Sequence, residues 1–188
     1  MRNSDITRSL PPAVQKVSSN MRLYGMIGFW IQLVLGIISA VILVIASFSL
    51  LAGQQTNQGS SFGVFAAIGG LVGLTMSIFL FFRYMKMSKK LRLPDASLRP
   101  KKADTIRIIE FGLICNLVGM FLSIMGAEAF LGLVVGKSLA LSNRVIGSDS
   151  SEFVNSTDLL IIFANTHTIL AHFTGISTAL LLLKSISK

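Results

Sequence analysis

The chain has 188 residues, of which 52% are hydrophobic and 13% charged, with a net charge of +9. So few charges over such long apolar runs exclude an ordinary soluble domain and point to an integral membrane protein. Nucleic-acid binding is excluded as well, because the basic residues gather beside the apolar runs and have no aromatic side chains interleaved among them.

The N-terminal segment is polar and leads into an apolar run longer than the roughly 7–15 residues of a signal-peptide core, so neither signal cleavage nor a transit peptide is expected. Pro11 and Pro12 suit a helix start, and Val14, Val17 and Met21 recur at helical spacing opposite Gln15, Ser18 and Ser19. This pattern predicts a short interfacial helix before the first span. Tyr24 and Trp30 then suit the headgroup zone.

From Leu23 to Phe82 there is no charged residue, and the polar cluster Gly53 to Ser61 divides that run into spans over 23–52 and 62–84. The first carries Gly25, Gly28, Gln32, Gly36 and Ser39 on one face, with Gln32 expected to turn toward other helices. The second repeats the device with Gly63, Ala66, Gly70, Gly73 and Ser77. Arg83, Lys86, Lys89, Lys90, Arg92, Arg99, Lys101, Lys102 and Arg107 follow, in a segment that Pro94 and Pro100 break. Asp104 is placed to cap the next helix.

The third span, 105–141, presents Gly112, Asn116, Gly119, Ser123 and Gly126 at spacings of 4, 3, 4 and 3, a narrow face that lets another helix approach closely. As one straight rod it exceeds a hydrocarbon core of about 30 Å, so it must project, tilt or break, with the likeliest bend at Gly132 and Gly136. Cys115 is the single cysteine and reads as a core residue. Glu128 falls near the outer boundary and away from the glycine face; it is either a solvated carboxylate or one turned inward to attract a cation. A pairing of Glu128 with Lys137 would need the bend.

Ser142 to Thr157 is polar and contains Arg144; Asn155-Ser156-Thr157 matches a glycosylation pattern by letter only. The fourth span, 158–184, carries Ala164, Thr168, Ala171, Gly175 and Thr178 on its small face. His172 lies near its midpoint and shares a face with Asn165, while His167 is nearer the outer end. His167 and His172 are five residues apart, about 140° around a helix, so a two-histidine metal motif is absent. His172 is either a hydrogen-bonded structural histidine or a ligand or proton relay.

The fold expected is all-α: a four-transmembrane-helix bundle with a short N-terminal interfacial helix, one membrane domain over 1–188. Basic residues at both ends and in the central segment place the termini in the cytoplasm. Anionic lipid is the natural partner of the basic segment.

Leu10-Pro11-Pro12, Arg22-Leu23-Tyr24-Gly25 and Phe29-Trp30-Ile31-Gln32-Leu33-Val34 resemble the start of a cyanobacterial membrane-protein family related to the small chloroplast inner-envelope translocon subunit, also described as permease in chloroplasts. Asn116-Leu117-Val118-Gly119-Met120, Gly126-Ala127-Glu128-Ala129, Val135-Gly136-Lys137-Ser138-Leu139 and Ala171-His172-Phe173-Thr174-Gly175 continue the resemblance over nearly the whole chain. It implies a plasma or thylakoid membrane protein that serves either iron permeation or preprotein translocation. The plastid relatives are expected to carry Gln in place of Glu128 and Asn in place of His167, whereas His172 fits the pattern as it stands.

Transport of a cation such as iron would draw on Glu128, Asn165, His167 and His172, since a divalent cation takes oxygen and imidazole ligands. The alternative is a translocon or scaffold subunit, a homo-oligomer or a partner of other membrane subunits, that uses its glycine faces without an ion site. No nucleophile elbow or phosphate loop is present, and an enzyme is not expected.

Overall fold

The computed structural model describes residues 10–52, 58–142 and 156–187, with side chains at 49–52, 58–60, 140–142 and 187 excepted. Four long helices account for nearly all of it: α1 (Pro12–Ala52), α2 (Gln58–Leu91), α3 (Lys102–Ser142) and α4 (Ser156–Ser187). All four are long and apolar enough to cross a membrane. Of the loops expected on the far side, residues 53–57 and 143–155, with Arg144 and Asn155, lie outside the described residues, while residues 58–61 already belong to α2.

The helices run up and down in a ring: each packs on its sequence neighbours, α4 closes on α1, and α2 touches α4 across a diagonal. Side-chain bonds show the alternation. Ser18 of α1 meets Ser88 of α2 and Asn20 meets Ser185 of α4, while at the other end Lys137 of α3 meets Asp158 of α4.

The distribution of side chains is that of a protein solvated by lipid. Phe65, Phe48, Val72 and Phe121 are exposed by 60% or more, whereas Gln32, Asn116, Asn165 and His172 are buried to within 2%. In hydrocarbon an apolar surface costs nothing, and every backbone group must be satisfied inside its own helix.

The helices depart from expectation in two places. The residues around Val14, Val17 and Met21 do not form a separate helix but are the first turns of α1, and they pack on Leu91, Ile109 and Ile186. Likewise α3 runs unbroken for 41 residues through Gly132 and Gly136. At about 60 Å it projects well beyond a core of about 30 Å. A side chain at either glycine would meet nothing within 4 Å, so neither marks a packing contact. In this unbroken helix Glu128 and Lys137, nine residues apart, stay on opposite sides, and Lys137 instead bonds Asp158 at 2.6 Å.

At the basic end, Ser18 and Ser88 each donate to the other's carbonyl oxygen, at 2.9 and 2.8 Å, and Arg92 donates to the Ser18 and Ser19 hydroxyls. The link between α2 and α3 is a short turn around a 3₁₀ segment, Ala96–Leu98, capped by Asp95. Two hydrogen bonds from Ser97, side chain and backbone, hold the Asp95 carboxyl below its ordinary range, with Arg99 adding to them. Asp104 does not cap α3; it sits in the first turn, where its charge still complements the helix dipole.

Candidate functional site

Two apolar clusters fill the ends of the bundle. The one at the basic end includes Phe81, Tyr84, Ile109 and Leu182, and the other includes Leu43, Phe130 and Ile161. Between them lies a polar layer to which every helix gives one side chain: Gln32 from α1, Ser77 from α2, Asn116 from α3 and His172 from α4.

The amide orientations in this layer are fixed by backbone carbonyls, which can only accept. Asn116 Nδ2 donates to the Gly112 oxygen and to Ser77 Oγ, both at 2.8 Å. Gln32 Nε2 donates to the Ala171 oxygen at 3.0 Å and to Asn116 Oδ1 at 2.9 Å. Ser77 Oγ in turn donates to Gln32 Oε1 at 2.9 Å. The layer thus joins four helices through one closed set of bonds.

His172 completes it, with Nδ1 3.0 Å from Asn116 Oδ1 and Nε2 3.1 Å from the Gly70 oxygen. Both neighbours are acceptors. A neutral imidazole has one N–H and donates to one of them; an imidazolium would donate to both. In either state both ring nitrogens are turned to protein groups, so binding a metal would require the ring to give up a contact.

Glycines make the space for these side chains. A Cβ on Gly119 would run into the His172 ring, and one on Gly175 into the Asn116 and Gln32 amides. A Cβ on Gly73 would lie 3.1 Å from the Gly119 backbone. The expected packing face of α3, Gly112, Asn116, Gly119, Ser123 and Gly126, is buried along its whole length. Its glycines serve polar groups as much as helix backbones.

Toward the acidic end the polar axis continues. Ser39 Oγ bonds the Ala164 oxygen at 2.9 Å and Thr168 Oγ1 at 2.6 Å, tying α1 to α4. Asn165 Nδ2 donates to the Ile161 oxygen at 3.0 Å, while its Oδ1 has no hydrogen-bond partner among the described residues. A Cβ on Gly126 would stand 3.0 Å from that oxygen, so the glycine leaves room for the amide.

The candidate ligands do not assemble. His172 and Asn165 face the axis, Glu128 is exposed, and His167 is half-buried against Phe163, with Nδ1 2.9 Å from the Phe163 oxygen. Among the described residues no three His, Cys, Asp or Glu side chains stand close enough to hold a metal ion. Sequence reasoning placed Gln32 and Asn116 correctly as interhelical bonding groups but left Ser77, Ser39 and Thr168 as small packing residues. A count of depth along each span would have pointed to Ser77, which lies in the same layer as Gln32, Asn116 and His172.

The protein named "Protein TIC 21, chloroplastic" of Arabidopsis thaliana is 31% identical over 179 residues, covering 93% of this chain and 59% of the relative. The chain therefore spans less than two thirds of that relative's length. No solved structure matches the chain. The family model described as "Protein of unknown function (DUF3611)" matches residues 11–187. That range holds all four helices and the entire polar layer, and the chain belongs to this family.

Proposed function

We propose that the chain is a non-enzymatic, transport-related membrane subunit, with the polar layer around His172 as the part of the bundle that acts on the transported species. The observation that carries this reading is the layer itself: hydrogen-bonding side chains from all four helices meet on the axis of a membrane bundle, where ionisable groups are costly and are functional candidates by default. The resemblance to the permease and translocon family of plastids makes iron or another metal cation the substrate of choice. The basic residues at that end support cytoplasmic termini, and the family resemblance supports a cyanobacterial plasma or thylakoid membrane. The described conformation would be the closed one, with apolar clusters above and below the layer.

A second reading is favoured by a specific observation. Gly119, Gly73 and Gly175 are filled by neighbouring side chains and backbone, and a close-packed axis suits a translocon or scaffold subunit that assembles as a homo-oligomer or with other membrane proteins. Reconstitution separates the two. Purified protein in vesicles loaded with a ferrous-ion indicator is expected to admit Fe²⁺ faster than empty vesicles. A helical, monodisperse protein that admits none would leave the subunit reading in its place.

A further inference from the structure

A cleft on the lipid-facing side of the bundle has the form of a site for a single anionic phospholipid. Between α1 and α2 runs a crevice of about 560 Å³, walled by Phe29, Leu33, Ile78, Phe79 and Phe82. The Phe29 and Phe82 rings meet edge to face, with centroids 5.2 Å apart, and close part of its wall. Thr75 also lines it, but its hydroxyl donates to its own helix at the Leu71 oxygen, so it leaves no donor unsatisfied there.

Arg83 and Lys86 line the crevice and also a smaller basin of about 150 Å³ that Met87 and Lys90 complete. The two spaces therefore share two cationic side chains, which set a cationic mouth beside the apolar slot. Arg83, Lys86 and Lys90 are exposed and recur at helical spacing on α2, and their side chains have no hydrogen-bond or ion-pair partner among the described residues.

Depth agrees with chemistry. From Phe62 to Phe82 α2 has no charge, a rise of about 30 Å that matches the hydrocarbon thickness and puts Arg83 at its boundary. Lys90 stands about 10 Å farther along, which spans the headgroup zone. We propose that this cleft binds one glycerophospholipid with a net negative headgroup, an acyl chain lying between α1 and α2 and the phosphate held by Arg83, Lys86 and Lys90. The proposal needs only the membrane placement of the bundle and is independent of what the chain transports. A zwitterionic lipid would bring its own cation to a mouth that already holds three. Basic residues near an anionic surface are each worth roughly fivefold in affinity, so three give on the order of a hundredfold.

Native mass spectrometry of the full chain in detergent tests this with phosphatidylglycerol, phosphatidylcholine and inorganic phosphate as probes. One phosphatidylglycerol per chain should be retained, phosphatidylcholine far less, and millimolar phosphate should not displace the lipid. Arg83→Gln/Lys86→Gln/Lys90→Gln should lose retention by tenfold or more, while Lys101→Gln/Lys102→Gln/Arg107→Gln, with the same charge removed from the start of α3, should keep it. Thr75→Trp fills the slot without touching a charge and should also lower retention. All these positions are exposed, and circular dichroism verifies that each variant is helical. Equal retention of the two lipids, an unchanged triple variant, an equally damaging α3 control, an unaffected Thr75→Trp or displacement by phosphate alone would each overturn the proposal.

Discussion

Gly175 and Gly132 sit on two helices of the same bundle, yet the same substitution should act on them with opposite sign. A methyl group at Gly175 meets the Asn116 and Gln32 amides, whose positions are fixed by backbone carbonyls and leave little room to yield. Overpacking of this kind typically costs about 1–3 kcal/mol, and Gly175→Ala is expected to lower the melting temperature in detergent accordingly. At Gly132 the methyl group enters open space, and Ala is the better helix former by about 1 kcal/mol, so Gly132→Ala should be neutral or stabilising. The same contrast holds along α3, where Gly119→Leu would drive into the His172 ring while Leu117→Ala alters a lipid-facing side chain. Normal accumulation and unchanged melting of the Gly119→Leu protein would contradict the packing described.

Among the elements, α3 and α4 are held at the acidic end by the bond between Lys137 and Asp158, in which the carboxylate is nearly buried and the lysine 37% exposed. Removal of the lysine leaves a buried charge without its partner, a loss of about 1–3 kcal/mol once solvent around the lysine is allowed for. Lys137→Ala should therefore melt earlier in detergent, and Asp158→Asn combined with it should recover part of the loss; no recovery would mean that the pair is not coupled. This contact also shows what could and could not be read in advance. The inward faces of all four helices were legible, because the recurrence of small and polar residues every three or four positions is a local property of one helix. Pairings between helices were not: nothing in the spacing of α3 tells that Gly119 receives His172 or that Lys137 turns to α4. The bend expected at Gly132 and Gly136 rested on the length of the span, which had to project, tilt or break; α3 remains one continuous helix and projects.

For the molecule as a whole, the order of helices around the ring is the first thing to secure. Asn20 Nδ2 and Ser185 Oγ are 2.7 Å apart where α4 returns to α1. In a Cys115→Ser background, Asn20→Cys with Ser185→Cys is expected to oxidise within one chain and shift its mobility on a gel. Failure to cross-link, or cross-linking only between chains, would contradict closure of the ring by α4. Within that ring the polar layer is the feature on which the transport reading rests. His172→Gln tests it most directly, because Gln keeps a donor of similar reach toward Gly70 or Asn116 and leaves the glycine contacts in place. In vesicles loaded with a ferrous-ion indicator, the wild-type protein should admit Fe²⁺, and the His172→Gln protein, matched for amount and helix content, should admit it at least tenfold more slowly. Equal rates for the two would remove the layer from any transport role.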